Sequence, residues 1–256
     1  MFNLIVKYKA TSYTALLDLC TPEEWQSVLT SVNNHHLLVS QINTNISLYI
    51  KYRLTVERED RFSHLINCAQ NGTGNSRNTI SRIFITNNIV PDDFVRNLKK
   101  VLNCKEPKIN CLFLVGPSNS GKSFIAQSIA SHFITGYASS ANSLSEFSYE
   151  NFLNKSLILM EEPFVTEGTC DDLKNIFAGA NIQVGKKYLP KQDLYRTPVI
   201  MTGNHEKLGK GYLNPKDEDA FQNRMITYNF NEPFVTSEYI SPEQVADWIC
   251  FIYNRI

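Results

Sequence analysis

The loop Gly116–Ser123 has a sequence suited to holding a phosphate group. It reads GPSNSGKS, lies between an apolar run and an apolar-periodic segment, and fits G-x-x-x-x-G-K-[ST] in full. Its glycines let backbone N–H groups curl towards a phosphate at a helix N-terminus. Lys122 is placed to reach the β- and γ-phosphates, and the Ser123 hydroxyl to ligate Mg²⁺. The predicted nucleotide-binding residues are Gly116, Pro117, Ser118, Asn119, Ser120, Gly121, Lys122 and Ser123.

A pair of carboxylates follows a second apolar run. In LILMEEP, Glu161 and Glu162 stand at the carboxyl end of a predicted buried strand, where α/β sheets hold their ligands. One carboxylate would bind Mg²⁺ or its water, and the other would orient or deprotonate an attacking water. We assign Glu161 to the metal and Glu162 to the water. Adjacent residues of a regular strand face opposite ways, so in such a strand the two could not share a role.

Strands and helices alternate from Ile109 onwards, which indicates a parallel sheet and an α/β fold. A hairpin with a basic, proline-containing tip is predicted over Asn181–Arg196, and a closing helix capped by Ser241 near the end of the chain. Strands are predicted in the segments INCLFLVG, SLILMEEP, PVIMTGN and ITYNF, with helices after the first two.

The first part of the chain has helical patterns. Apolar residues recur at helical spacing over about Ile46–Ala69, and another helix is predicted from Pro91. The polar stretch Asn71–Asn78 is rich in turn-forming residues and predicts either a linker or a surface loop. We therefore predict a helical, oligomerisation-type subdomain over residues 1–90 and an ATPase domain over residues 91–256.

The composition limits the kinds of partner. Of the 256 residues, 43% are hydrophobic and 20% charged, which is typical of a globular protein. The formal net charge is +0, so contact with nucleic acid must come from local basic clusters. No apolar run approaches the roughly 18 residues that span a bilayer, and the N-terminus lacks a secretory pattern. The six cysteines form no C-x-x-C pair, which favours free thiols over a zinc site.

Five motifs in a fixed order point to a family. The phosphate loop is followed by LMEEP, DDLKNIFAGANIQVGKKY, RTPVIMTGN and AFQNRMITYNF. This order resembles superfamily 3 helicases, and most of all the replication initiator (large non-structural protein) of parvoviruses, especially the insect and crustacean densoviruses. The resemblance is dense over Ile109–Phe230 and looser before it. It implies an AAA+-like P-loop fold, with a parallel sheet flanked by helices and a small N-terminal helical subdomain.

The resemblance also assigns residues. Asn204 matches a polar sensor at a strand end, where an amide can hydrogen-bond the attacking water. Arg224 matches the arginine that related hexamers insert into the adjacent subunit's site. With these two, the predicted catalytic residues are Lys122, Glu161, Glu162, Asn204 and Arg224.

The predicted hairpin matches the one with which the family grips a single strand. Lys187 falls at the position of the lysine that projects into the channel, and Tyr188 could stack on a base. Lys174, on the helix before the hairpin, matches a lysine that can serve the neighbouring subunit's nucleotide. The predicted DNA-binding residues are Lys186, Lys187, Tyr188 and Lys191.

The resemblance implies a helicase of viral genome replication in the host cell nucleus. Its expected cofactors are ATP and Mg²⁺, and its expected partners are single-stranded DNA and further copies of itself in a ring, with a hexamer as the expected form. No membrane partner is expected. The nicking nuclease of parvoviral initiators is not recognisable here, so we expect it to be supplied elsewhere.

Three alternatives remain open from the residues. The chain could be a nucleotide-dependent assembly protein that does not unwind, or a P-loop small-molecule kinase. It could also resemble the RNA-virus helicases of the same superfamily, which often carry a cysteine-rich zinc element near the C-terminus; only Cys250 lies in the corresponding region here.

Overall fold

The chain divides into two units, Met1–Val56 and Glu57–Ile256. In the computed structural model, placement of the backbone is described for residues 1–30, 37–70, 72–139, 148–186, 189–208 and 213–256. For residues 139, 148, 186 and 189 only the backbone is described.

The first unit is helical. Its core contains Ile5, Leu16, Val28 and Ile42, which are fully buried or nearly so. The helices are α1 (Phe2–Tyr8), α2 (Tyr13–Leu19), α3 (Pro22–Thr30) and α4 (Leu38–Glu59).

The helix predicted over Ile46–Ala69 is in fact two helices, α4 and α5 (Arg61–Asn67). Asp60 separates them in an extended conformation, and its side chain accepts a hydrogen bond of 2.8 Å from the N–H of Ser63. Asp60 is therefore an N-cap, which begins a new helix although the apolar spacing continues through it.

The predicted linker or loop over Asn71–Asn78 is also wrong for most of its length, because α6 runs from Gly74 to Thr86. Thr73 and Ser76 form a capping box in which each side chain bonds the other's backbone N–H. These paired bonds satisfy the first amides of the helix, which outweighs the weak helix propensity of glycine, asparagine and serine.

The helix α7 (Pro91–Leu102) has the charge pattern of a stable helix. Pro91 occupies its first position, acidic residues its first turn and lysines its last turn, which complements the helix dipole. The side chains of α5, α6 and α7 share a core with the following sheet. Packing thus joins these helices to the second unit, and the functional boundary between residues 90 and 91 stays a prediction.

A parallel sheet forms the centre of the second unit, which confirms the predicted fold class. In the described residues it has five strands in the order β2-β3-β6-β1-β7, and β4 and β5 form a separate antiparallel hairpin. The strands are β1 (Cys111–Val115), β2 (Thr135–Ser139), β3 (Leu157–Glu161), β4 (Ile182–Lys186), β5 (Leu189–Leu194), β6 (Val199–Gly203) and β7 (Met225–Asn229).

Both faces of the sheet are covered. Leu112 and Leu114 of β1 belong to a core with Trp248 and Phe84. The rings of Trp248 and Phe84 are stacked, with their centroids 4.6 Å apart. Phe113, between the two leucines, belongs to the core on the other face. Burial on both faces explains why β1 is apolar throughout. The flanking helices are α8 (Lys122–Ala130), α9 (Glu167–Ala178), α10 (Pro215–Gln222) and α11 (Pro242–Tyr253).

The sequence prediction identified every strand of the sheet except β2 (TGYAS), whose small and polar residues give no apolar run. Pairing with β3 over Thr135–Ser139 specifies this strand instead, and β2 lies at the edge of the sheet. The predicted hairpin is confirmed, as is the capping of α11 by Ser241.

Asn110 joins the sheet to the elements around it, and its substitution should destabilise the fold. It is fully buried, and its Nδ2 donates to the carbonyl oxygens of Ile176 (3.0 Å) and Thr197 (2.7 Å). We expect Asn110→Ala to lower the free energy of unfolding by about 2–4 kcal/mol, because two buried carbonyls lose their donor. Urea unfolding would measure this. The exposed Asn181→Ala is the control; equal midpoints for the two variants would contradict the assignment.

Candidate nucleotide-binding site

The phosphate loop begins where β1 ends. The N–H of Gly116 donates to the carbonyl of Gly203 at 3.0 Å, which ties the start of the loop to the end of β6. A Cβ on Gly116 would lie 1.9 Å from the carbonyl oxygen of Phe230. Gly121 has φ +87°, a backbone conformation that side chains disfavour. Both glycines of the motif are therefore required by the backbone.

The loop folds around the ammonium group of Lys122. Lys122 is the first residue of α8, is 4% exposed, and donates to the carbonyl of Pro117 at 2.9 Å. Burial lowers its pKa, and the charge of Glu162 partly offsets this. Among the described residues the buried Ser120 hydroxyl has no hydrogen-bond partner. A cation and an unsatisfied hydroxyl within one loop fit a phosphate group.

The two carboxylates point to different neighbours. Glu161 is the last residue of β3, and accepts hydrogen bonds from Gln127 Nε2 at 2.7 Å and from the Tyr137 hydroxyl. Glu162 leaves the strand with φ +49°, and accepts a hydrogen bond from Asn204 Nδ2 at 2.7 Å. The left-handed conformation of Glu162 ends the regular strand, so side chains no longer alternate between the two faces of the sheet at this residue. The alternation that predicts separate roles for Glu161 and Glu162 therefore does not apply to Glu162.

Glu162, but not Glu161, lines the cavity beside the phosphate loop. This cavity has a volume of about 750 Å³, and residues 118–124 form one of its walls. The metal role predicted for Glu161 and the water role predicted for Glu162 remain predictions. In this conformation Glu162 is the carboxylate that faces the loop, whereas the carboxylate of Glu161 accepts hydrogen bonds from Gln127 of α8 and Tyr137 of β2.

The other wall of the cavity comes from a segment that the sequence prediction missed. The N–H of Phe234 donates to the carbonyl of Asn119 at 2.7 Å, which holds this segment against the loop. Val235 and Tyr239 are 86% and 84% exposed there. The segment follows β7 and carries no motif, so the sequence offers no signal for it. Its lining residues are Phe234, Val235, Thr236, Glu238, Tyr239 and Ile240.

Asn204 lies at the same edge of the sheet as the phosphate loop. It follows β6, whose last residue Gly203 is in register with Val115 of β1. Asn204 and Glu162 also line a second, smaller cavity of about 60 Å³. The predicted sensor is thus brought together with one carboxylate and, through the adjacent strand ends, with the loop.

Arg224 lies at the opposite edge. It precedes β7, and its carbonyl accepts a hydrogen bond from the N–H of Asn110, just before β1. The five residues of β1 separate that edge from Gly116, a distance of roughly 17 Å at the usual rise per strand residue. The Arg224 Nη1 donates to the carbonyl of Ala220, and its buried Nε has no partner among the described residues.

The predicted DNA-binding residues are only partly described. Lys187 and Tyr188 lie outside the described residues, as does the side chain of Lys186. Lys191 is exposed on β5. Lys174 of α9 forms ion pairs with Asp171 (2.6 Å) and Asp217 (2.9 Å), and hydrogen bonds to these carboxylates raise its pKa. That Lys174 serves the nucleotide of a neighbouring subunit stays a prediction.

Across the described part of the chain, no helix is long and apolar enough to cross a membrane.

The chain resembles solved structures over most of its length. JCV helicase superposes with a TM-score of 0.59 at 12% sequence identity, covering 90% of this chain and 76% of that one. A second JCV helicase structure gives a TM-score of 0.56 at the same identity, covering 89% and 75%. At such identity the likeness shows a shared fold.

Sequence relatives are initiator and replication proteins of viruses. Initiator protein NS1 of Junonia coenia densovirus is 29% identical over 156 residues, or 60% of this chain and 28% of the relative. Initiator protein NS1 of Bombyx mori densovirus is 26% identical over 160 residues, 62% and 17% of the two chains. Replication protein E1 of human papillomavirus 45 is 25% identical over 226 residues, 85% and 31%. The chain spans less than a third of each of these relatives.

The model of one protein family, described as parvovirus non-structural protein NS1, matches residues 10–256. This match covers almost the whole chain and includes the phosphate loop, the carboxylate pair, Asn204 and Arg224. It confirms the resemblance that the order of motifs indicates. The chain belongs to the parvovirus non-structural protein NS1 family.

Proposed function

We propose that this chain is the ATP-driven helicase part of a viral replication initiator. It hydrolyses ATP with Mg²⁺ in a ring of identical subunits, with a hexamer as the expected form, and moves along single-stranded DNA in the host cell nucleus. The names of the relatives support this proposal, since they are called initiator, replication protein and helicase. Nuclear localisation and ring size rest on the resemblance alone.

One observation carries the proposal: the predicted catalytic groups divide between two edges of the sheet. The phosphate loop, Glu162 and Asn204 lie at the carboxyl edge, and Arg224 lies at the amino edge. A kinase that works as a single chain needs its cations around its own phosphate. A subunit that offers Arg224 to a neighbour has instead the half-site arrangement of a ring ATPase.

Within the site each residue has a distinct task. The loop amides and Lys122 would bind the β- and γ-phosphates of ATP, and Ser123 and Glu161 are the proposed ligands of Mg²⁺. Bound Mg²⁺ neutralises phosphate charge. For Glu161 to serve as a ligand, its carboxylate has to exchange hydrogen bonds with Gln127 or Tyr137 for the metal.

Glu162 and Asn204 form the proposed unit that handles the attacking water. Their hydrogen bond of 2.7 Å holds the carboxylate and the amide together at the edge of the cavity. The carboxylate can accept a proton from water, and the amide can orient the water or donate to a transferring oxygen.

The nucleoside would lie against the segment that follows β7. Val235 and Tyr239 offer exposed apolar and aromatic surface across the cavity from the phosphate loop. Aromatic rings stack on any base. The side chain of Glu238 accepts a hydrogen bond of 2.8 Å from Thr79, so its carboxylate is already occupied.

The proposal is tested by measuring ATP hydrolysis with and without a single-stranded oligonucleotide. We expect Mg²⁺-dependent hydrolysis that the oligonucleotide stimulates. Lys122→Ala should abolish hydrolysis, because the buried ammonium at the loop is lost. If hydrolysis by the intact chain does not respond to the strand, the motor is contradicted in favour of an assembly protein; phosphate transfer to a small molecule would support a kinase.

Glu162→Gln should lower kcat by roughly 10²-fold or more while ATP still binds, because the amide cannot accept the proton. Single-turnover hydrolysis and binding of a fluorescent ATP analogue measure the two effects separately. Glu206→Gln, at an exposed carboxylate shortly after β6, is the matched control and should leave kcat unchanged. Equal kcat values for the two variants would show that Glu162 takes no part in the chemistry.

Arg224→Ala should lower kcat by about 10³-fold or more if its guanidinium acts on the γ-phosphate of a neighbour. Mixing this variant with Lys122→Ala should restore part of the activity. In a mixed ring, the intact phosphate loop of an Arg224→Ala subunit can face the intact Arg224 of a Lys122→Ala subunit. Failure of mixtures to exceed the sum of the separate variants, under conditions where sedimentation shows mixed oligomers, would show that Arg224 does not act between subunits.

A further inference from the structure

A second concave site lies on α7 and the turn after it. It has a volume of about 500 Å³ and is separate from the nucleotide cavity, with which it shares no lining residue. Four of its six lining residues are cations, and none has an acidic side chain. The lining residues are Arg96, Lys99, Lys100, Lys105, Tyr253 and Ile256.

Two of these cations have structural partners. Lys99 donates to the Tyr253 hydroxyl at 2.5 Å, and Lys100 lies 3.7 Å from a carboxylate oxygen of Glu106. Both also stand in the last turn of α7, where positive charge complements the helix dipole. Lys99 and Lys100 therefore have a role in the fold without any ligand.

Arg96 and Lys105 have no such explanation. Both are exposed, and neither has an ion pair or side-chain hydrogen bond with another described residue. Arg96 stands before the last turn of α7. Cys104 takes a left-handed conformation with φ +52°, and the N–H of Lys105 then donates to the carbonyl of Lys100 at 2.9 Å. The turn thus brings Lys105 back towards the cations of the helix.

The turn also connects this cavity to the stem of the hairpin. Arg196, just after β5, donates from Nη2 to the carbonyl oxygens of Glu106 (2.6 Å) and Ile109 (3.0 Å). The segment that follows Lys105 and the hairpin stem therefore meet at the amino edge of the sheet. The phosphate loop lies at the other edge, roughly 17 Å away along β1. A ligand of this cavity is not the nucleotide bound at the loop.

We propose that this basic cavity binds the phosphate backbone of a nucleic acid and extends the contact predicted for the hairpin. Because the chain has a formal net charge of +0, four cations around one cavity are a local concentration rather than part of a general basic surface. Backbone phosphates are the repeated anions that such a surface attracts. The inference rests on the proposed function, since it assumes that the chain acts on nucleic acid.

The test is binding of fluorescent single-stranded and duplex oligonucleotides over a salt series by the whole chain and by Arg96→Ala/Lys105→Ala. We expect the variant to lose roughly tenfold in affinity at low salt. The slope of log K against log salt should fall by about 1.4 for a single strand or about 1.8 for a duplex, if each cation meets one phosphate. The strand type with the larger change is the one the cavity binds.

Lys51→Ala/Lys216→Ala is the matched control, since it removes two exposed lysines elsewhere. It should leave the slope unchanged; an equal fall would mean that net charge, not the cavity, is responsible. A slope for Arg96→Ala/Lys105→Ala equal to that of the intact chain would also overturn the inference.

Hydrolysis without oligonucleotide should be the same in the intact chain and both variants, and shows that each is folded. Arg96→Gln/Lys105→Gln repeats the test if the alanine variant fails to fold. If the intact chain hydrolyses ATP without any response to either oligonucleotide, the proposed motor fails. If it responds normally but Arg96→Ala/Lys105→Ala binds as tightly, only the basic cavity is refuted.

Discussion

The parallel pairing of β1 with β6 is the interaction on which the site depends. In register, Cys111 lies beside Val199 and Val115 beside Gly203, and the N–H of Gly116 continues the pairing to the Gly203 carbonyl. Because both strands run the same way, the phosphate loop and Asn204 leave the sheet at one edge. A change of direction or of register in either strand would separate the phosphate loop from Asn204.

The same constraint acts on the carboxylates through β3. The N–H of Glu162 donates to the Thr202 carbonyl at 2.8 Å, so backbone pairing with β6 extends one residue past the strand. At that residue the backbone turns left-handed, and the carboxylate meets Asn204. Two chemically identical neighbours, Glu161 and Glu162, thereby receive different surroundings. One accepts hydrogen bonds from α8 and β2, and the other lines the cavity.

Sequence patterns predict these features where a local rule determines the structure. The phosphate loop is recognisable because its glycines are required by close backbone contacts, and β1 because burial on both faces demands continuous apolar residues. Glu162 is different: its left-handed conformation depends on a bond to β6, which is distant in sequence. The segment Phe234–Ile240 has no motif because its place in the cavity depends on contacts with distant parts of the chain, among them the backbone bond to Asn119 and the hydrogen bond from Thr79 to Glu238. The composition of Asn71–Asn78 wrongly predicts a linker or loop at the start of α6, because the capping box outweighs the weak helix propensity of these residues.

The two edges of the sheet give the proposed motor its geometry. ATP would be held at the carboxyl edge, while Arg224, the stem of the hairpin and the basic cavity lie at the amino edge. In the proposed ring, an arginine that cannot reach its own phosphate loop would act on that of another subunit, and repeated head-to-tail contacts of this kind close into a ring when their rotation permits. In this proposal the strands of the sheet connect the edge that would bind ATP to the edge that would bind the nucleic acid. Coupling between hydrolysis and movement would then arise because one sheet carries both sets of groups.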